Sequence, residues 1–125
     1  MMPRLDLTLN TQWQEGVISE VIEELTRLTQ MLLNKRTEAT RIHIHQNQCF
    51  VGAARLTEPS AFDLVICITK GTNTDEQKAR WMHAVNQYLM KRLGGQQQQL
   101  DYITIHELPP QNWGYNGLSM LTRFN

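Results

Sequence analysis

Leu5, Leu7 and Leu9 alternate with Asp6 and Thr8, the period-two pattern of a strand with one buried face. Val17, Val21, Leu25, Leu28 and Leu32 follow at helical spacing, with Ile18 and Ile22 beside them, and predict an amphipathic helix. Thr11 with Gln14 three residues on has the spacing of a capping box that opens this helix. "RIHIH" at 41–45 alternates again and predicts a second strand.

The pattern then restarts. "FDLVICIT" at 62–69 predicts a strand, and "NTDEQK" at 73–78 holds two overlapping cap spacings, Asn73 with Glu76 and Thr74 with Gln77. Trp81, Ala84, Val85, Tyr88 and Leu89 form a second helical stripe, which Gly94 can end in a left-handed cap. "DYITIH" at 101–106 predicts the fourth strand. "IHIH" ends at His45 and "ITIH" at His106, while Asn10-Thr11 and Asn73-Thr74 open the two helices. An aromatic–glycine segment follows each closing strand, "CFVGA" at 49–53 and "NWGYNG" at 112–117. The chain therefore reads as one α/β domain, residues 1–125, with internal βαβ repeats at about 3–53 and 62–117. Right-handed parallel crossovers within each repeat predict a four-stranded mixed sheet with two helices on one face.

On that sheet Leu5, Leu7, Ile42, Ile44, Leu64, Ile66, Ile103 and Ile105 can face the helices. The other face would carry Asp6, Thr8, Arg41, His43, His45, Val65, Cys67, Tyr102, Thr104 and His106. Such a face is too apolar for full solvation and too polar for a monomer core, so it predicts a subunit interface.

Lysine plus arginine number 12 and aspartate plus glutamate 12, a balance that argues against a nucleic-acid or membrane-surface binder. No apolar run is long enough to span a bilayer, and the first residues lack a signal-peptide layout. Cys49 and Cys67 form no redox or metal motif and are expected as reduced thiols of a cytoplasmic protein. His43, His45 and Cys49 lack a fourth ligand, so no metal is expected there. The "GGQQQQ" tract at 94–99 is short enough to be a loop.

The proline at the start of strand one, the doubled βαβ pattern, "TDEQK" at 74–78 and "ITIHELPPQNWGYNG" at 103–117 together resemble the tautomerase superfamily. That group includes the oxalocrotonate tautomerases, the malonate semialdehyde decarboxylases, the chloroacrylate dehalogenases and the macrophage migration inhibitory factor group. The resemblance implies a homotrimer of double units and a small-molecule carboxylate substrate, with no cofactor. It implies that Pro3 is a catalytic proline whose amine serves as general base or acid. Arg41 then matches a substrate-binding arginine, and Phe50 and Trp113 match aromatic wall positions. The activity implied is proton transfer between enol and keto forms of a 2-oxo acid. The alternatives are an inactive family member that keeps the trimer as a binding or structural protein, and a decarboxylase or hydratase using the same proline, with Glu107 polarising a water.

Two features depart from the family pattern. Where relatives have Gly-Arg-Ser before the second helix, this chain has Thr72-Asn73-Thr74, which leaves Lys70 as a nearby substitute without the bidentate fork of arginine. Met1 and Met2 precede Pro3. A large second residue predicts retention of Met1, which keeps Pro3 a non-basic amide, whereas translation from Met2 would free its amine. Without the family context, proline at the first residue of a strand is an ordinary placement.

Overall fold

The computed structural model describes residues 3–56, 60–94 and 101–123. Strand β1 (Arg4–Leu9) leads into helix α1 (Glu15–Leu33), which returns to β2 (Arg41–Gln46). A short hairpin follows, β3 (Cys49–Val51) with β4 (Ala54–Leu56). The second unit repeats the path through β5 (Phe62–Thr69), α2 (Asp75–Leu93) and β6 (Tyr102–Leu108). A second small hairpin, β7 (Gly114–Tyr115) with β8 (Leu118–Ser119), precedes the terminal turn α3 (Met120–Arg123).

The main sheet has the order β2-β1-β5-β6. β1 runs parallel to β2, β5 runs parallel to β6, and the two units meet antiparallel through β1 and β5. This is the four-stranded mixed sheet expected from the alternation. Leu5, Leu7, Leu9, Leu64, Ile66 and Ile68 are fully or almost fully buried against Val21 and Leu25 of α1 and Trp81, Val85 and Leu89 of α2. Ile42, Ile44, Ile103 and Ile105 pack on the edges of the same core. Each such side chain contributes roughly 1.5–3 kcal/mol of transfer free energy, which is why the stripe spacing dictates both helices. Trp81 Nε1 donates to Thr29 Oγ1 at 3.1 Å, so the largest core side chain also ties the helices together.

The two helix starts differ from each other. Thr74 and Gln77 form a complete capping box: Gln77 N–H donates to Thr74 Oγ1 (3.1 Å) and Thr74 N–H to Gln77 Oε1 (2.9 Å). The expected Thr11–Gln14 box does not form. Gln14 is itself the cap residue of α1 and makes no side-chain cap bond, while the Thr11 hydroxyl donates to Ser60 Oγ, 49 residues away. A tertiary partner has taken the group that the local spacing assigned to the helix.

The aromatic–glycine segments are tight hairpins. Gly52 and Ala53 both have positive φ, as do Asn116 and Gly117, the geometry that two-residue hairpin turns require. At Gly114 an added Cβ would stand 2.0 Å from the Leu118 carbonyl oxygen, so the close approach of β7 to β8 demands glycine.

Candidate functional site

Antiparallel pairing of β1 with β5 puts the start of β1 beside the end of β5. Arg4 faces Cys67, and one step further Pro3 comes level with Ile68, which pairs with Glu107 of β6. Pro3, Ile68 and Glu107 thus form a row across three strands, spanning about 10 Å at the usual strand spacing. Alternation aims all three toward the helices: Pro3 extends the Leu5–Leu7–Leu9 series and Glu107 extends Ile103–Ile105. Pro3 is buried, and its carbonyl accepts the Arg41 N–H at 3.1 Å.

The charged groups over this row come from the helices. α1 ends at Asn34, which takes the left-handed conformation at φ 56° and ψ 46° and turns the chain inward. The next residue is Lys35, only 3 % exposed. Its Nζ donates to Thr72 Oγ1 at 3.0 Å, and that hydroxyl donates to the Thr69 carbonyl at 2.7 Å. Asn73 seals the junction by donating to the Leu33 carbonyl at 2.9 Å. Burial pushes the Lys35 ammonium down to about 8, opposed by the attraction of the Glu107 carboxylate. Glu107 itself is held by Lys78 of α2, Nζ to Oε1 2.6 Å, and Lys78 also reaches Asp75 at 3.2 Å. Hydrogen bonding to Glu107 and then to Asp75 raises the Lys78 ammonium above its ordinary value. Glu107 and Asp75 both sit on Lys78, so the Lys35 ammonium is the charge left for a small carboxylate.

The residues singled out from sequence do not all meet there. Trp113 does: its Nε1 donates at 3.2 Å to Oγ1 of Thr69, the residue whose carbonyl accepts from Thr72. Lys70 lies at the same end but is exposed, its backbone N–H bonded to the Leu108 carbonyl at 2.9 Å. Arg41 opens β2 at this end, yet its exposed side chain alternates onto the sheet face away from the helices, beside Arg4. Phe50 sits on β3 beyond the opposite end of the sheet and is 59 % exposed. Within one protomer Phe50 is therefore separated from Pro3.

Lys35 escaped the sequence reading, although a signal existed. It continues the apolar stripe from Leu28 and Leu32 at helical spacing, immediately after an asparagine able to stop the helix. A lysine in such a place is either bent out to solvent or buried for a purpose. Among the described residues no cluster of three or more histidine, cysteine, aspartate or glutamate side chains could hold a metal. No helix among them is long and apolar enough to cross a membrane.

The family model described as "Macrophage migration inhibitory factor (MIF)" matches residues 2–121. The chain belongs to that family. It is a member of the tautomerase superfamily, with the superfamily's mixed sheet and two principal helices. The MIF-family chain is similar in fold to a fused 4-OT solved as an asymmetric trimer, with TM-score 0.87 and 17 % identity over 98 % of this chain and 99 % of that one. It is also similar to a macrophage migration inhibitory factor-like protein from Entamoeba histolytica, with TM-score 0.76 and 15 % identity over 95 % and 99 % of the two chains. A third similar structure is of a protein inactivated by 2-oxo-3-pentynoate, with TM-score 0.85 and 13 % identity over 98 % and 99 %. No curated protein matches the chain by sequence.

Proposed function

We propose that this protein is a small-molecule isomerase that moves a proton between the enol and keto forms of a 2-oxo acid. The observation that carries the reading is the buried Lys35 ammonium beside the Pro3–Ile68–Glu107 row. Burying a cation against a hydroxyl alone is costly, and an anionic ligand offsets that cost. With Pro3 as the first residue, its secondary amine takes the proton from the enol hydroxyl. The resulting prolinium delivers a proton to the adjacent carbon, so the amine is regenerated. Lys35 holds the carboxylate and steadies the enolate, while Ile68 and Trp113 keep the amine in an apolar setting that favours its neutral form. A relative inactivated by a 2-oxo acid supports that substrate class.

The same reading makes the working unit a homotrimer, in keeping with trimers among similar structures. Phe50, Val51 and Leu118 are exposed on the two hairpins, Leu121 is exposed on α3, and Tyr102 is 64 % exposed on the open sheet face. Packing between copies covers them, and it is the only route by which Phe50 or the Arg41 side chain reaches a Pro3.

The reading depends on the amine. When Met1 and Met2 stay attached, Pro3 is an amide without a usable lone pair. That state favours the second reading, a trimer that binds small carboxylates without turning them over. Mass-verified proteins beginning at Met1 and at Pro3, assayed with phenylenolpyruvate, separate the two. The isomerase reading expects the Pro3-first form to be much the faster, with its activity lost in Pro3→Ala. Equal rates, or an active Pro3→Ala, remove Pro3 from the mechanism.

A further inference from the structure

Lys78 lies outside the Pro3 row, and the reaction above does not use it. Its contacts nonetheless decide what Lys35 can do. Among the described residues Glu107 is the carboxylate that acts on the Lys35 charge, yet Glu107 is bonded to Lys78 at 2.6 Å instead. Lys35 makes no ion pair among those residues and rests on Thr72 Oγ1 alone. Of the other charges at this end, Asp75 pairs with Lys78 and Arg36 with Glu38, while Lys70 is exposed.

We propose that Lys78 is a positioning residue, which holds the Glu107 carboxylate away from Lys35 and so keeps the Lys35 amine open for an incoming carboxylate. The inference rests on the reading of Lys35 as the anion-holding group. Physically, a carboxylate whose charge acts on two ammonium groups, and which bonds one of them at 2.6 Å, neutralises the bonded one best. The α2 side supplies the better partner, because Lys78 is already close to Asp75 and sits at the wetter edge, where a charge pair costs less desolvation. Glu107 is thereby spent on the ammonium that does not need a ligand. A plain structural staple between α2 and β6 would show the same bond, but breaking it would reach Lys35 only through the charge deleted and not through a carboxylate that moves.

The chain has four lysines, at 35, 70, 78 and 91, so protein labelled with [13Cε]lysine gives few resonances, and Lys35→Met identifies that of Lys35. Its titration midpoint is then followed in the wild type and in Lys78→Gln, Lys78→Arg, Glu107→Gln and the Lys78→Gln/Glu107→Gln pair. In Lys78→Gln the freed carboxylate turns to Lys35, and the midpoint rises by about 1 to 3 pH units. Lys78→Arg keeps the wild-type midpoint. Glu107→Gln lowers it, and the double variant follows Glu107→Gln. A staple that stays in place also gives opposite signs, but its two shifts add in the double variant, whereas a carboxylate that turns makes the double variant follow Glu107→Gln. A Lys35 midpoint that does not rise in folded Lys78→Gln overturns the proposal. Should that variant not fold, an unchanged midpoint in Glu107→Gln overturns it equally. Pyruvate, added as a minimal 2-oxo acid, should shift the Lys35 resonance of the wild type and bind several-fold more weakly to Lys78→Gln. Absence of any pyruvate effect in the wild type, with the midpoints moving as stated, refutes the anion reading of Lys35 and leaves the positioning of Glu107 standing. Equal pyruvate affinity in both refutes the claim that Lys78 keeps Lys35 open.

Discussion

The two ends of the sheet carry equally polar turns and use them differently. At the end where β1 finishes, Asn10, Gln46 and Asp101 bond the backbone, and Thr11 bonds the Ser60 hydroxyl. Asn10 donates to the Leu56 carbonyl at 2.9 Å and accepts from Ala61 N–H at 2.8 Å; Gln46 accepts from Trp13 N–H at 2.6 Å. Asp101 accepts from Phe62 N–H at 3.0 Å. At the end where β1 begins, the equivalent asparagine, Asn73, also caps a carbonyl, but around it lie Lys35, Lys78 and Glu107, charged groups with side-chain partners. One end closes the fold, whereas the other holds a cation whose burial disfavours its charged form. The repeat of a single βαβ pattern makes the contrast sharp, because the local architecture is the same at both ends and only the side chains differ.

The largest expected effect comes from deleting that cation. Lys35→Met keeps the buried stem and removes the charge. The folded ammonium titrates at about 8 rather than near its ordinary 10.5, so the unfolded chain binds the extra proton between those values. Stability therefore rises across that window in the wild type, and the cost of burying Lys35 is fully present below pH 8. At neutral pH Lys35→Met should gain up to about 3 kcal/mol in urea unfolding, less whatever the lost Thr72 hydrogen bond contributed. The gain should vanish near pH 11. A loss of stability at pH 7 would mean that Lys35 is structural.

Asn10→Ala probes the other end. It leaves the Leu56 carbonyl and the Ala61 N–H without their partner and should cost about 1–2 kcal/mol, with no effect on the Lys35 titration. An Asn10 substitution that moved the Lys35 midpoint would erase the distinction between the ends.

The smallest effect separates the two helix starts. Thr74→Ala breaks a complete capping box and should cost about 1 kcal/mol. Gln14→Ala removes no cap bond from α1 and should change stability by less than about 0.5 kcal/mol. Equal costs would show that the α1 start is capped in solution as the Thr11–Gln14 spacing suggests.

That spacing illustrates where sequence reading works and where it stops. The strands and helices were legible because burial imposes period two on Leu5, Leu7 and Leu9 and period 3.6 on Trp81, Val85 and Leu89. The Thr74 box was legible because both partners are local. Thr11 was misread because Ser60, far along the chain, competes for its hydroxyl. The stretches after β2 and β6 were legible only as aromatic–glycine segments; positive φ at four turn residues makes them hairpins. Pro3 stood out in the sequence by its place at a strand start and by family likeness, and its catalytic role belongs to the proposal. Lys35 was not legible, because its burial depends on Thr72 and on the α2 side of the fold. Phe50 and Arg41 were chosen by likeness to a family of assemblies, and one protomer does not bring their side chains to Pro3.

In the proposed reaction Lys35 is a cation kept at the expense of stability because it holds a substrate carboxylate. The most direct test is kcat/KM for phenylenolpyruvate in the Pro3-first protein, wild type against Lys35→Met, beside the unfolding curves of both. The account predicts a fall of about 10- to 100-fold, carried mainly by KM, as expected for loss of a charge-assisted hydrogen bond, in a variant that is more stable than its parent. A Lys35→Met protein with unchanged kcat/KM would contradict it.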